Sequence, residues 1–346
     1  MFSNPTIKDV ARVAGVHFTT VSMALRGHPS IPATTRDRIV AAAGRIGYRR
    51  DAVFSALSNR RSRDGVTGFA PRIAFVVNRS PEEGFFKRTH NRVMVEGARQ
   101  QAESLGYRFE LLFVDKGHHD SASLYRYLRK TGVTGVIIGG FEAGRDTLEM
   151  DWSSFCVVKI DSRHMDPAVT LVSTDQLNGV RVAFQRMRAL GYKRIGLAVG
   201  LHDEEGTDDM HVSGLLLEQP DIASPHWIPP MLFPHGATGE IATPLLRDWI
   251  RAHKLDAVVC NWTNIRTMIT DGGFRMPQQV ACACICLSRK NPALAGIVSN
   301  MGMVGERVTT LLATLLRTER RGVPELATHT YVEGKWYDGA SAPLRS

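Results

Sequence analysis

Residues 6–48, TIKDVARVAGVHFTTVSMALRGHPSIPATTRDRIVAAAGRIGY, constrain the fold more than any other stretch of the chain. Apolar residues recur there at helical spacing in three short runs, broken once at a glycine and once between Gly27 and Pro32. Thr6 stands where a helix N-cap belongs, with Asp9 three residues on as its reciprocal partner. Val10, Val13 and Ala14 are then expected on one inward face, and Gly15 supplies the sharp turn. A second helix is expected from near His17 to Gly27, with Val21, Ala24 and Leu25 inward. Pro32 suits the first turn of a third, whose inward residues are Ile39, Ala42, Ala43 and Ile46. Three short helices around a tight turn make a helix-turn-helix. Its second helix turns Phe18, Thr19, Ser22, Met23 and Arg26 outward, where a recognition helix offers side chains to a major groove.

Charge points the same way. Residues 1–64 hold 11 of the 43 Lys and Arg but only 4 of the 34 Asp and Glu, so most of the net +9 sits in this fifth of the chain. A basic head on a near-neutral body is the electrostatic footprint of phosphate contact, whereas a merely solvated basic face would not be so concentrated. A chain of 346 residues, 43% hydrophobic, has room for a small domain and a large one with a sizeable core. No apolar run approaches the ~20 residues of a membrane span. The chain enters its first helix at once, without a charged-then-apolar leader, and a cytoplasmic location is expected.

Five cysteines, an odd number, argue against a disulfide framework. Cys282, Cys284 and Cys286 alternate in VACACICL, which places them on one face of a strand as buried thiols; a metal site there would want nearby histidines. His118-His119-Asp120 and His202-Asp203-Glu204-Glu205 read as solvated loops, since adjacent loop residues rarely converge on one ion. Neither a metal nor a cofactor is expected. No G-x-S-x-G, H-E-x-x-H or phosphate-loop string occurs, so no catalytic residue is assigned and no enzyme is indicated.

Residues 49–71 form a connector in which Asp51–Ser58 can make a short helix, apolar through Val53, Phe54 and Leu57, before Gly65, Gly68 and Pro71 break regularity. From residue 72 the pattern changes. Strand candidates Arg72–Val77, Phe109–Val114, Gly135–Gly139 and Cys156–Asp161 surround a helix at Arg92–Leu105. A second series follows, with helices Leu177–Leu190 and Glu240–Ala252 and strands Arg194–Val199, Ala257–Asn261 and Val280–Cys286. Short apolar strands alternating with amphipathic helices imply parallel sheets flanked by helices, in two Rossmann-like lobes.

The strings Thr6-Ile7-Lys8-Asp9-Val10-Ala11, Ala14-Gly15-Val16, Thr20-Val21-Ser22, Thr35-Arg36, Ala42-Ala43 and Gly47-Tyr48 resemble the headpiece of the lactose-repressor/galactose-repressor family of bacterial transcription regulators. The likeness continues through Val172-Ser173-Thr174-Asp175, Leu190-Gly191-Tyr192-Lys193-Arg194-Ile195-Gly196, the crossover Leu294–Val298 and the helix Met303–Arg317 that follows it. It implies a helix-turn-helix head and hinge helix joined to an α/β body like that of periplasmic sugar-binding proteins. The divisions are 1–50 for DNA binding, 51–71 for the hinge helix and linker, and 72–340 for effector binding and dimerisation. Lobe one would take about 72–172 and 297–325, and lobe two about 173–296 and 326–340. The resemblance adds Thr6, His17, Thr20, Thr35, Arg36 and Tyr48 to the DNA-contacting set and makes Val53, Phe54 and Leu57 the hinge face, with Leu57 as an apolar wedge in the minor groove. Met23 stands where many relatives carry a guanine-gripping arginine, and it offers only apolar contact.

Ligands of such bodies bind at strand C-terminal ends between the lobes. Those ends here include Asn78, Asp161, and Asn261 with Trp262; Asp161 and Asn261 fit the family's effector-binding carboxylate and amide, and Trp262 can stack on a sugar. A helix or turn cap is the plainer role for Asp161, and lobe-interface packing the plainer one for Trp262. His211 stands where relatives place an arginine, and Cys286 where they place an aspartate, so two strong polyol anchors are missing, and either the ligand has changed or the pocket no longer binds one tightly. The expected function is a sequence-specific transcription regulator, a repressor first, that binds a near-palindromic double-stranded operator as a homodimer and answers to a small sugar-like effector. The alternative is a soluble sugar-binding protein without a regulatory role.

Overall fold

The computed structural model describes residues 7–25, 31–46, 70–82, 84–114, 118–139, 141, 148–161 and 165–345. The expectations for Thr6, Arg26, Tyr48, Val53, Phe54 and Leu57, and for the side chain of Ser22, fall outside that set. The chain divides into two compact units. One holds the residues up to Pro71 together with Ala102–Arg108, and the other holds Arg72–Gln101 and Phe109–Ser346.

The head is built from α1 (Ile7–Ala14), α2 (Phe18–Leu25) and α3 (Ala33–Arg45). Their buried faces, Val10, Ala11, Ala14, Val21, Ala24, Ile39, Ala42 and Ala43, make one small core. Small side chains suit such a core because short helices bury enough apolar area only by close approach. α1 ends at Gly15, whose φ of +64° is open to glycine at no steric penalty, and the Val16 N–H closes on the Ala11 carbonyl (3.1 Å). Val13 departs from the expected face: it is 45% exposed, because Ala11 takes the inward place beside Val10 and Ala14 on this two-turn helix.

The body carries two six-stranded sheets. The first contains β1 (Arg72–Val77), β2 (Arg108–Phe113), β3 (Val133–Ile138), β4 (Cys156–Ile160), β5 (Leu171–Thr174) and β11 (His329–Val332), in the order β11-β5-β4-β3-β1-β2. The second contains β6 (Ile195–Gly200), β7 (Met231–Phe233), β8 (Ala257–Cys260), β9 (Ala281–Leu287), β10 (Ala295–Val298) and β12 (Lys335–Tyr337), in the order β12-β10-β9-β8-β6-β7. The central strands are predominantly apolar (RIAFVV, CVVKI, ACACICL) because helices cover both faces of a parallel sheet. β12 pairs antiparallel with β10.

The helices flanking these sheets are α4 (Thr89–Ser104), α5 (Ser121–Thr131), α6 (Gln176–Ala189), α7 (Leu201–Thr207), α8 (Met210–Glu218), α9 (Gly239–His253), α10 (Ile265–Asp271) and α11 (Met301–Arg317). α4 and α11 meet backbone to backbone: a Cβ on Gly305 would lie 2.8 Å from the Ala98 nitrogen, so only glycine fits. The Thr309 hydroxyl donates across the same seam to the Ala98 carbonyl (3.4 Å).

The lobe boundaries differ from the sequence expectation. His329–Val332 runs parallel to Leu171–Thr174, so part of the segment 326–340 assigned to lobe two completes the sheet of lobe one. The first sheet likewise extends to Thr174, past the expected limit at 172. Pairing decides both points: β5 would otherwise leave a row of backbone donors and acceptors open at the sheet edge.

Candidate functional site

α2 exposes Phe18 (43%) and Thr19 while Val21 and Ala24 seal its inner side, which is the orientation a reading helix needs. Met23 and Thr20 are half-buried on its flanks. His17, one residue before the helix, does not stand apart from this surface: its Nδ1 lies 2.8 Å from the Thr19 hydroxyl and its ring 4.3 Å from that of Phe18. The three side chains therefore present as one polar and aromatic patch. Thr35 and Arg36 are half-buried at the start of α3, where the Arg36 guanidinium donates to the Ile31 carbonyl (3.3 Å) and ties down the turn before the helix.

In the body, both sheets share the inner order 2-1-3-4-5, so each has one switch point where neighbouring strands send their helices to opposite faces. In the first sheet it lies between β1 and β3, and in the second between β6 and β8. A cleft of about 580 Å³ opens over these strand ends. Arg79 and Phe141 line it from just past β1 and β3, His202 and Asp203 from just past β6, and Asn261 and Trp262 from just past β8. The volume is in the range of small-molecule sites.

Asp203 is the hub of lobe two's side. Its Oδ2 accepts from Asn261 Nδ2 (2.7 Å) and from Trp262 Nε1 (3.4 Å), while Asn261 Oδ1 accepts the Gly200 N–H (3.3 Å). A Cβ on Gly200 would come within 2.7 Å of that carboxylate oxygen, so a side chain there would displace Asp203 from the hub. Trp262 stacks on Phe233 at 4.6 Å and 32°, so it both packs the lobe and lines the cleft. Cys286 lines the cleft too, donating to the Asn261 carbonyl. The adjacent Cys284 sulfur and burial push its thiol well above the ordinary range, so it stays a protonated donor.

Glu204 and His211 form a buried pair beside the hub, 1% and 2% exposed. Glu204 Oε2 lies 2.6 Å from His211 Nδ1, and its Oε1 accepts the Val212 N–H (2.8 Å). The N-cap residue of α8, Asp209, makes no side-chain cap bond, and Glu204 supplies that acceptor from the preceding helix. The His211 ring, held at Nδ1 by Glu204, lines the cleft.

Asp161 lies in lobe one with a φ of +50° and accepts from the Ser173 hydroxyl (2.5 Å). Burial raises its carboxyl above the usual range against that hydrogen bond. Of the expected cleft residues, Asp161, His211, Asn261, Trp262 and Cys286 come together; Asn78 is buried below and does not line the cavity.

The reading of His202–Glu205 as a solvated loop is corrected. β6 runs straight into α7, and its first turn holds Asp203 and Glu204, where carboxylates suit the positive helix end. Asp120 of the other polar run caps α5 in a reciprocal box with Ser123. Among the described residues no three His, Cys, Asp or Glu side chains converge as a metal site.

Residues 6–51 match the family model for "Bacterial regulatory proteins, lacI family", and residues 70–218 match that for "Periplasmic binding proteins and sugar binding domain of LacI family". The chain is thus similar to the LacI family in its head and in the first half of its body. Curated relatives include the maltose regulon regulatory protein MalI of Escherichia coli, 29% identical over 193 residues that make up 55% of this chain and 52% of that one. The transcriptional repressor PurR of Photobacterium profundum is 24% identical over 58% of this chain and 57% of its own. The chain thus spans about half the length of the curated relatives it matches. Solved family structures share the fold over nearly the whole chain. A complex of the regulator CelR with cellobiose aligns over 98% of this chain and all of its own, with a TM-score of 0.58 at 19% identity. The lac repressor dimer bound to operator and an anti-inducer aligns over 99% of this chain and 100% of its own, with a TM-score of 0.56 at 16% identity. No helix among the described residues is long and apolar enough to cross a membrane.

Proposed function

We propose that the chain is a transcription regulator that grips a near-palindromic double-stranded operator as a homodimer and answers to a small polar, sugar-like ligand in its interlobe cleft. The observation that carries this is one chain holding both an outward-facing recognition surface, centred on Phe18 and Thr19, and a cleft at two switch points. The dimer follows from geometry: one head offers one recognition helix, and two joined heads bring two half-sites into register. In this reading residues 1–50 read DNA, 51–71 form the hinge with Leu57 as wedge, and 72–340 bind effector and partner. Thr19, Ser22, Met23 and Arg26 join Phe18 as the groove-reading set, His17 is assigned a phosphate, and Thr6, Thr20, Thr35, Arg36 and Tyr48 complete the DNA-contacting set. The chain works in the cytoplasm and carries no catalytic step. The relatives' regulatory names and the operator-bound and cellobiose-bound family structures support the reading.

The test is selection from random DNA by the full chain, followed by gel retardation with and without residues 1–60. The full chain is expected to enrich a near-palindrome, and the truncated chain to lose retardation while staying folded. Retardation of the same DNA with unchanged affinity by the truncated chain refutes the assignment.

A further inference from the structure

Cys282, Cys284 and Cys286 of β9 share the face that packs into lobe two's core, and Cys260 of β8 lies on the same face. All are free thiols. Cys260 stands opposite Cys284 in the parallel register, and its sulfur accepts the Trp262 N–H (3.2 Å). Cys282 is fully buried, its carbonyl accepting the Ser341 hydroxyl (2.6 Å). Cys284 and Cys286 turn toward each other, with their sulfurs 3.8 Å apart. Cys284 is fully buried, whereas Cys286 is half-buried and lines the cleft. Whatever enters the cleft meets Cys286 first and finds a second sulfur 3.8 Å behind it.

What such a pair can capture follows from its chemistry. A thiol is a weak donor and a weak acceptor, so the bonds these two make to each other and to the Asn261 carbonyl are readily replaced. The Cys284 sulfur and burial hold Cys286 protonated, which makes it a poor nucleophile toward peroxides and alkylating agents. A metal ion differs, because it drives off the thiol proton itself. Thiolate sulfur is a soft ligand and selects soft ions. With bonds of about 2.3 Å, the thiolate length known for zinc, one ion spans the 3.8 Å gap at an angle of about 110° and opens toward linear as the sulfurs part. Among the described residues no third His, Cys, Asp or Glu completes a metal site around the pair, so a four-coordinate ion such as Zn(II) is left short of ligands. Two thiolates neutralise a divalent cation. The neutral product suits a wall whose inner sulfur is fully buried, where a monovalent ion would leave a net anion.

We propose that Cys284 and Cys286 form a capture site, entered from the cleft, for a soft two-coordinate divalent cation of the Hg(II) class. Two S–H bonds break and two metal–sulfur bonds form, so two protons leave and no electron is transferred. The site goes beyond the regulator reading and stands whether or not the cleft takes a sugar-like effector. It also gives the departure at Cys286 a chemical content: where the family pattern has the hard oxygens of aspartate, this chain has a soft sulfur.

The test is native mass spectrometry of the full chain loaded with one equivalent of Hg(II) and then challenged with a ten-fold excess of glutathione. The expected species is the chain plus one mercury less two protons. It is expected to survive the challenge, because two thiols held together act at a high effective concentration. Cys284→Ala and Cys286→Ala are each expected to surrender the ion or to carry it only with a glutathione attached, and Cys156→Ala, Cys260→Ala and Cys282→Ala to keep it. Mercury X-ray absorption of the unaltered chain reads the ligands without any variant, with two sulfurs expected and no third. Zn(II) added in the same amount is expected to be lost in the challenge. The proposal is overturned if the unaltered chain yields its mercury to glutathione, or if either Cys284→Ala or Cys286→Ala keeps the ion without a glutathione. One sulfur neighbour or three, loss of the ion from a folded Cys260→Ala or Cys282→Ala chain, or Zn(II) held as firmly as Hg(II) also overturns it.

Discussion

Glu204→Ala tests the buried pair at the cleft, and the structure sets its size. The carboxylate is 1% exposed, so water cannot replace it for the groups it serves. One of these is the Val212 N–H in the first turn of α8, a helix whose own N-cap residue makes no side-chain bond. Losing a cap acceptor costs about 0.5–2 kcal/mol. The other is His211 Nδ1, whose charge-assisted bond is worth about 1.5–3 kcal/mol, less whatever the Thr207 hydroxyl recovers. That hydroxyl already lies 3.3 Å from the same nitrogen. The sum is a loss of about 2–5 kcal/mol. Urea unfolding of the full chain, followed by tryptophan fluorescence, reads it, since Trp249 and Trp262 both report on lobe two. Glu204→Gln keeps an acceptor for Val212 and is expected to lose less than half as much. A loss below about 0.5 kcal/mol for alanine would refute the network, and glutamine as damaging as alanine would refute the capping share.

Two further outcomes follow from other parts of the chain. Lys159 is buried in β4 with Nζ on the Met165 carbonyl (2.6 Å), and burial, opposed by Asp166, lowers its pKa to about 8. The unfolded chain keeps the ordinary value, so it binds more protons between about pH 8 and 10.5, and stability rises with pH through that window by up to about 3 kcal/mol. In Lys159→Met that rise is expected to vanish; a wild-type-minus-variant difference that stays constant from pH 7 to 10.5 counts against it. Met23→Arg is expected to shift half-site preference toward guanine at one position by about 1–3 kcal/mol, read by selection from randomised half-sites. An unchanged preferred base at every position would mean that Met23 does not face the groove.

The head was legible because its signals are local. Gly15, the 3.6-residue spacing and Pro32 act within a turn or two, and the helices lie where those signals put them. The longer central strands were legible for a similar reason, each being a mostly apolar run. Asp203 and Glu204 were not. Their partners Asn261 and His211 are 58 and 7 residues away, and HDEE by itself reads as a polar run for solvent. Three- and four-residue strands such as β7 and β11 carry too little pattern to be read, and pairing alone defines them.

The return of β11 to the first sheet has a consequence for how the protein is made. A ribosome has synthesised all the other strands of that sheet by Thr174 but does not reach Val332 until 158 residues later. At about 5–20 residues per second the interval is roughly 8–30 seconds. Throughout it β5 is an unpaired edge on a nascent chain, and neighbouring chains on the same message carry the same open edge. Domain-by-domain folding during translation is therefore closed to lobe one. The chain is most open to mispairing in that interval, and a message cut short before residue 329 would leave the edge open for good.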